Sequence, residues 1–154
     1  MTTAQHGAQE RTVLVFGAYG GIGSTLVRRL HREGARLVVS GRDESRLTEL
    51  ATEVEALPLV ADAADFDAVD SVVAEAVEHV AKLDGVVNCS GSLMLKPAHM
   101  TRPDEFRATI DSSLTSAFAI LRASARPMMK SGGGSIVFVS TAAAALGLPN
   151  HEAI

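Results

Sequence analysis

A glycine-rich segment near the N-terminus is the part of the sequence best suited to hold a charged ligand. Phe16 is followed by Gly-Ala-Tyr-Gly-Gly-Ile-Gly, which ends at Gly23. Glycines adopt backbone angles that other residues avoid, and they let a ligand approach the main chain closely. If a helix begins here, its free N–H groups and positive end suit a phosphate. We therefore expect a dinucleotide to bind here; the plainer alternative is a turn that lets a helix pack close to a sheet.

The spacing of these glycines fits two patterns. They are Gly17-x-x-x-Gly21-x-Gly23 and Gly17-x-x-Gly20-x-x-Gly23. Neither has the G-x-G-x-x-G spacing of the commonest dinucleotide-binding motif, so spacing alone does not identify the ligand. Both patterns place Tyr19 and Ile22 inside the loop, where we expect these side chains to contact a cofactor.

The elements that must position the loop alternate between apolar strands and amphipathic helices. Short apolar stretches predict strands at residues 12–16, 36–40, 56–60, 86–88 and 136–139. Apolar residues at helical spacing predict helices at residues 22–33, 44–53, 66–81 and 103–129. This alternation predicts an α/β fold with a Rossmann-like, doubly wound parallel sheet of about five strands. The expected strand order is 3-2-1-4-5.

The last predicted helix has a start signal and an apolar face. Thr101 followed three positions later by Asp104 is typical of a helix N-cap, and Pro103 suits the first turn. The apolar residues that recur along this helix are Phe106, Ile110, Leu114, Phe118 and Leu121.

Polar residues and glycines follow the predicted strands and should share one edge of the sheet. In open α/β sheets, ligands bind beyond the carboxyl ends of the strands. The positions that meet this condition are Arg42, Asp62, Ala63, Asn88, Ser90, Gly91, Ser140 and Thr141. Two of them have a structural alternative. Asp62 could cap the helix that starts near residue 65, and Asn88 could bridge neighbouring strands through its amide.

Composition limits the classes of function. The chain has 154 residues, 47% of them hydrophobic, and a formal net charge of -4, so nucleic-acid binding is not expected. Its single cysteine, Cys89, suits a reducing cytoplasm, and no stretch is apolar enough to span a membrane. The histidines show no metal-like spacing. We expect residues 1–10 to be a loose tail and residues 11–154 to form one cofactor-binding domain.

Together these motifs resemble the short-chain dehydrogenase/reductase family over residues 12–154. The glycine loop resembles the family's TGxxxGIG, with Phe16 in place of threonine, and this favours the pattern with Gly21. Residues 88–91 resemble the family's NNAG, and residues 136–141 resemble the strand that carries its catalytic serine. The resemblance also implies that Asp62 holds the adenine. It implies an NAD(P)-binding domain whose C-terminal part is missing here, so that the sheet of about five strands is expected to be incomplete.

The residue after the second strand bears on cofactor choice. NAD-specific sites usually place a carboxylate there to hold the ribose 2′-hydroxyl. Here Gly41 stands at that position and Arg42 follows it. A guanidinium with several donors suits a 2′-phosphate, so we expect NADP rather than NAD. The alternative is that Arg42 is a solvated surface charge paired with Asp43.

The catalytic half of the family pattern is altered. In the family, a tyrosine transfers the proton, a nearby lysine lowers its pKa, a serine holds the substrate oxygen and a helix asparagine supports a relay. By position, the tyrosine falls on Ile154, the serine on Thr141 after Ser140, and the asparagine on Ser113. The YxxxK motif is absent. General acid–base help is worth ~10²–10⁴-fold in rate, so we expect slow chemistry at best.

Three functions are therefore in question. The first is an NADP-dependent oxidoreductase acting on a small carbonyl or alcohol, impaired as this 154-residue chain. The second is a non-catalytic NADP-binding module that pairs with another chain. The third, an epimerase-like protein using the glycine pattern with Gly20, fits residues 88–91 less well. The chain is expected to be a fragment rather than a split half or a decayed relative. An exposed apolar edge at residues 136–139 is expected to associate with a partner or a second copy.

Overall fold

The computed structural model describes residues 11–154, so the predicted N-terminal tail lies outside the described residues. Five strands form one parallel sheet: β1 (Thr12–Phe16), β2 (Arg36–Gly41), β3 (Leu57–Val60), β4 (Gly85–Asn88) and β5 (Ser135–Phe138). Their order in the sheet is β3-β2-β1-β4-β5, which confirms the prediction. The helices are α1 (Gly21–Arg32), α2 (Glu44–Glu53), α3 (Phe66–Val80), α4 (Pro103–Ile110), α5 (Ser116–Lys130) and α6 (Ala143–Leu146).

Strand β1 lies at the centre of the sheet and is buried on both faces. Its Leu14 is in register with Val38 of β2 and Val86 of β4, and all three side chains are fully buried. One face packs against α3 and α5, and the other against α1 and α2. Covering on both faces explains why β1 and β2 are apolar runs without alternation.

The sheet has two edge strands, β3 and β5, and each has a feature typical of an edge position. Pro58 lies in β3, at one edge, where its missing N–H costs the sheet nothing. At the other edge β5 pairs with β4 alone, and the side chains of Val137 and Phe138 are 49% and 41% exposed. The sheet therefore presents an apolar edge at β5, as the sequence predicted.

The predicted helix from Pro103 to Met129 is confirmed, but it is not α-helical throughout. A π-helical turn, Asp111–Thr115, separates α4 from α5. Hydroxyls within and directly after the turn bond to the backbone: Ser112 Oγ donates to the Thr109 carbonyl at 3.2 Å, and Ser116 Oγ to the Ser112 carbonyl at 2.8 Å. Such bonds compete with the helical ladder and widen or bend it.

The predicted N-cap of α4 is also wrong. The cap residue is Arg102, whose N–H donates to the Glu105 carboxylate at 2.9 Å. The Thr101 hydroxyl instead donates to the Pro97 carbonyl at 3.1 Å, in a 3₁₀ turn that precedes the helix. The threonine therefore closes the preceding turn, and the capping function moves one residue along the chain.

The predicted apolar face of this helix turns away from the sheet. Phe106, Leu114, Phe118 and Leu121 are 42–64% exposed, whereas Ile120 and Ser116 are fully buried. The inner face of α5 combines the small residues Ser116, Ala119 and Ser124 with Ile120 and Met128, whereas Phe118 and Leu121 remain outside. Among the helices of residues 11–154, none has both the length and the apolar composition needed to cross a bilayer.

The Asp84 carboxylate links the amino ends of β1 and β4, and its contacts predict that the stability of the fold depends on pH. Asp84 bonds to Lys82 Nζ at 2.7 Å and accepts the Thr12 N–H at 3.0 Å. Both contacts favour the charged form and hold the pKa of Asp84 below its ordinary value of 3.8.

Replacing Asp84 by asparagine is expected to lower the stability of the fold at neutral pH, and this loss should become smaller as the pH falls. Because the folded pKa is depressed, the stabilisation is present above the unfolded pKa and is lost as pH falls through the folded one. The difference in melting temperature between wild type and Asp84→Asn should therefore shrink from about pH 5 downward. Glu78→Gln, on the exposed face of α3, is the control, and a constant difference for Asp84→Asn would contradict the expectation.

Candidate functional site

A cavity opens at the carboxyl ends of β1, β2 and β4. Its volume is about 160 Å³. The predicted site residues in its wall are Gly17, Tyr19, Gly20, Arg42, Asp62, Ala63, Ser90 and Gly91. Residues that were not predicted from the sequence also line it, namely Phe16, Gly41, Ala61, Ala64, Cys89, Ser112 and Ser116. The fold thus brings segments that are far apart in the sequence to one point.

A larger cavity of about 1120 Å³ lies at the opposite end of the sheet. It runs along the amino ends of β1 and β4, beside Thr12 and Asp84, and reaches Val137 of β5. Open parallel sheets bind ligands at the carboxyl ends of their strands. The smaller cavity is therefore the better candidate site, in spite of its size.

Packing explains two of the loop glycines directly. Gly17 has a φ of +67°, and a Cβ on it would lie 2.6 Å from the Ser90 nitrogen and 2.7 Å from the Cys89 carbonyl carbon. A Cβ on Gly23 would overlap the carbonyl oxygen of Gly17 and lie 2.8 Å from that of Ala18. These obstacles are backbone atoms, so a side chain could be accommodated only by moving the main chain.

The two remaining glycines of the loop are less constrained. A Cβ on Gly20 would lie 3.3 Å from the Gly17 carbonyl oxygen, whereas a Cβ on Gly21 would meet nothing within 4 Å. Contacts within the protein therefore account for glycine at residues 17, 20 and 23, which form the pattern with Gly20. They do not account for glycine at residue 21, the family-matching position, where the adjacent space is open for a ligand. Ile22 lies beside it at the start of α1 with its side chain 60% exposed.

The start of α1 has the features of an anion site. Its N-cap is Gly20, which has no side chain to bond the first N–H groups of the helix, and its first turn contains no acidic residue. These N–H groups and the positive end of the helix dipole face the loop. A pyrophosphate fits these properties without further adjustment.

Arg42 and Asp62 form an ion pair across the mouth of the cavity. Arg42 Nη1 lies 3.7 Å from Asp62 Oδ2, and the two side chains are 74% and 51% exposed. The alternative pairing of Arg42 with Asp43 is not observed, since Asp43 caps α2 by accepting the Arg46 N–H at 3.0 Å. An exposed pair of this kind is worth about 0–1 kcal/mol, so a phosphate can replace the Asp62 carboxylate at little cost.

The capping alternative for Asp62 is wrong. Asp65 caps α3 by accepting the N–H groups of Asp67 and Ala68 at 3.0 and 3.1 Å. Asp62 accepts the N–H of Ala64 at 3.0 Å, which fixes the loop after β3. Its second oxygen faces Arg42 at the cavity mouth.

Asn88 joins the end of β4 to its loop and to α5. Its side chain is buried; Oδ1 accepts the Ser90 N–H at 2.8 Å, and Nδ2 donates to Ser116 Oγ at 3.3 Å. The amide therefore bridges a loop and a helix, and not two strands as the alternative supposed. Burial raises the pKa of the adjacent Cys89 thiol, so this cysteine stays protonated and packs as an apolar side chain.

The candidate catalytic residues lie apart from this cavity wall. Ser140 and Thr141 follow β5 with exposed side chains, and Thr141 Oγ1 accepts the Ala143 N–H at 3.2 Å. Ser113 is exposed in the π-helical turn. Ile154 is half-buried, and its N–H donates to the His151 carbonyl at 3.1 Å.

The π-helical turn brings two other serines into the wall. Ser112 and Ser116 line the cavity, and Ser112 Oγ lies 2.8 Å from Ser92 Oγ in the loop after β4. Nothing in the sequence pattern distinguishes these serines from Ser113, because a π turn shifts which side chains face inward. Among residues 11–154 no group of three or more His, Cys, Asp and Glu side chains is placed to hold a metal ion.

Comparison with known proteins identifies the family. The sequence profile described as short chain dehydrogenase matches residues 11–153, almost the whole chain. The chain belongs to the short-chain dehydrogenase family. A relative from Azotobacter vinelandii, L-rhamnose 1-dehydrogenase (NAD(P)(+)), is 37% identical in an alignment of 151 residues that covers 90% of this chain and 58% of the relative.

Solved structures of the short-chain dehydrogenase family share the fold. A short-chain type dehydrogenase/reductase from Mycobacterium ulcerans superposes with a TM-score of 0.82 at 31% identity, covering 88% of this chain and 53% of the other. A variant of the actinorhodin polyketide ketoreductase with NADPH gives a TM-score of 0.88 at 25% identity, covering 94% and 58%. The chain thus spans little more than half the length of these relatives.

Proposed function

We propose that this chain is the NADP-binding domain of a short-chain oxidoreductase, formed by residues 11–154. The observation that carries the proposal is the cavity at the carboxyl edge, where the open N-terminus of α1 and the guanidinium of Arg42 face the same space. The first suits a pyrophosphate and the second a 2′-phosphate. Relatives named as NAD(P)(+)-dependent or solved with NADPH support a nicotinamide cofactor.

Different residues in and near the cavity would bind different parts of such a cofactor. Gly17, Gly20, Gly21, Ile22 and Gly23 form the pyrophosphate loop. We assign the adenosine end to Tyr19, Arg42, Asp62 and Ala63, and the nicotinamide end to Asn88, Ser90 and Gly91, all near the cavity. NAD is the less suitable cofactor because glycine, and not a carboxylate, stands at residue 41, the end of β2.

The reaction we propose is hydride transfer between a nicotinamide and a small carbonyl or alcohol. A bound nicotinamide would supply the hydride, and this chain's part would be to orient it and the substrate. Thr141 keeps a hydroxyl that can hold the substrate oxygen, with Ser140 beside it and Ser113 at the position of the relay asparagine. Ile154 has no proton to give, and the chain's single tyrosine, Tyr19, lies in the glycine loop. We infer that the chain alone turns over slowly.

The second candidate is a non-catalytic NADP-binding module that pairs with another chain. It is favoured by the exposed apolar surface on β5 and on the outer face of α5, where Phe118 is 57% exposed. Unpaired strand edges and apolar patches of this kind favour association, so we also propose a homo-oligomer or a partner at the β5 edge. A cytoplasmic location is proposed from the single cysteine, Cys89.

Cofactor binding and turnover should be measured on the same preparation. NADPH and NADH are titrated by fluorescence, and oxidation of each is then followed with a panel of small aldehydes and ketones. The oxidoreductase proposal expects tighter NADPH binding with slow turnover of at least one carbonyl. Tight NADPH binding without turnover supports the binding module. Failure to bind either cofactor would contradict both.

A further inference from the structure

Tyr19 occupies the space that a side chain on residue 41 would need. Gly41 is buried at the end of β2, and a Cβ built on it would overlap Tyr19 Cε1 and lie 2.9 Å from Cδ1 and 3.2 Å from Cζ. Gly41 is also the position at which the family's NAD-specific members carry their acidic residue. The tyrosine ring and a carboxylate on residue 41 therefore exclude each other.

The tyrosine is held in this position by the turn that follows β2. Its hydroxyl oxygen accepts the N–H groups of Arg42 at 3.2 Å and Asp43 at 3.0 Å. These bonds fix the backbone from which the Arg42 side chain extends toward the cavity mouth. The ring is thus part of the support of Arg42 as well as a steric block.

The same ring binds a second arginine. The Arg46 guanidinium carbon lies 4.6 Å from the centroid of the Tyr19 ring, and Nη2 donates to the Tyr19 carbonyl at 3.4 Å. Cation–π contact of this kind orients an otherwise exposed arginine. Since Tyr19 lines the cavity, Arg46 is placed beside the same wall as Arg42. Two guanidiniums near one opening suit a ligand with a doubly charged phosphate.

We propose that Tyr19 is a specificity-determining residue, which excludes an acidic side chain at Gly41 and positions Arg42 and Arg46 for the 2′-phosphate of NADP. The inference rests on the proposed function, because it concerns the cofactor bound at that site. It extends that function in two ways. It explains why glycine occupies position 41, and it adds Arg46, which does not itself line the cavity.

The test is a double-mutant cycle in the whole chain with Gly41→Asp, Tyr19→Ala and the pair together. Dissociation constants for NADPH and NADH are measured by fluorescence, and folding is checked by far-UV circular dichroism. Gly41→Asp alone should weaken NADPH binding without improving NADH binding, because the ring blocks the carboxylate. The double variant should shift the NADPH-to-NADH preference toward NADH by at least about tenfold. The same shift in Gly41→Asp alone would overturn the proposal.

Arg46 provides a second test that does not depend on Gly41→Asp being folded. Adenosine 2′,5′-bisphosphate and 5′-AMP serve as probes that differ only in the 2′-phosphate. Arg46→Ala should weaken the bisphosphate roughly tenfold, as expected for a lost charge-assisted contact, and leave 5′-AMP unchanged. Arg126→Ala, on the exposed side of α5, is the matched control. Equal weakening of both probes, or of neither, overturns the role of Arg46; a wild type that binds neither cofactor overturns the proposed function itself.

Discussion

Replacing Gly17 by alanine is expected to destabilise the chain by about 2–5 kcal/mol and to abolish cofactor binding. Two costs combine at this residue. A left-handed backbone costs a non-glycine residue roughly 1–2 kcal/mol, and forcing a methyl group against packed backbone costs about 1–3 kcal/mol. Gly17 has both problems, because its φ is +67° and its Cβ would contact Ser90 and Cys89. Thermal unfolding followed by circular dichroism measures the loss.

Three other glycines separate these two costs. Gly34 has a φ of +81° with nothing near its Cβ, so Gly34→Ala should show the backbone cost alone, about 1 kcal/mol. Gly23 lacks a positive φ but its Cβ would overlap the Gly17 carbonyl, so Gly23→Ala should show the packing cost, about 1–3 kcal/mol. Gly21→Ala has neither cost, so its free energy of unfolding should lie within about 0.5 kcal/mol of that of wild type. Equal losses at all four positions would mean that neither backbone angle nor packing distinguishes these glycines.

Cofactor binding by the same variants distinguishes packing from recognition. Gly21→Ala should fold normally and yet bind NADPH more weakly, because a methyl group would occupy the open space beside the start of α1. Gly34→Ala should bind NADPH as wild type does, since residue 34 lies at the far end of that helix. Normal NADPH binding by Gly21→Ala would show that the pyrophosphate does not bind beside residue 21.

Much of the fold could be predicted from the sequence because its strands are buried on both faces. Residues such as Leu14 and Val38 form continuous apolar runs only where helices cover both sides of a parallel sheet. The alternation of these runs with amphipathic helices then leaves few possible topologies, since crossovers are right-handed. The glycine loop lies at a strand-to-helix junction for the same reason. These features are local or periodic, so the sequence displays them directly.

The features that the sequence did not reveal depend on contacts between distant residues or on local hydrogen bonds that residue type alone does not predict. The packing of Tyr19 on Gly41 joins residues 22 positions apart, and neither residue type indicates it alone. The inner face of α5 includes small polar residues such as Ser116 and Ser124 beside Ile120, and an apolar pattern does not identify these serines as buried. Apolar periodicity therefore pointed to Phe118, which lies outside. At the π-helical turn, serine hydroxyls bond to the backbone, but serine is also common in helices that lack such a turn.

Replacing Arg42 by alanine is expected to weaken NADPH binding about 10–100-fold and to change NADH binding by no more than about threefold. A charge-assisted hydrogen bond contributes roughly 1.5–3 kcal/mol, and only NADPH has the phosphate that would receive it. Titration of both cofactors into wild type and Arg42→Ala measures the difference. An equal loss for the two cofactors would mean that Arg42 supports the site without recognising the 2′-phosphate.

The partner of Arg42 supplies the complementary experiment. In the structure Arg42 faces Asp62 at 3.7 Å, so the carboxylate competes with a phosphate for the same guanidinium. If this competition is its main effect, Asp62→Asn should leave NADPH binding unchanged or slightly tighter, since the asparagine oxygen can still accept the Ala64 N–H. If Asp62 instead holds the adenine, as in the family, the binding of both cofactors should weaken to the same extent.

Arg42→Lys tests the geometry of the contact, because a lysine keeps the charge but loses the planar fork that suits a phosphate. An intermediate NADPH affinity for that variant, with greater sensitivity to salt than wild type, is the expected result.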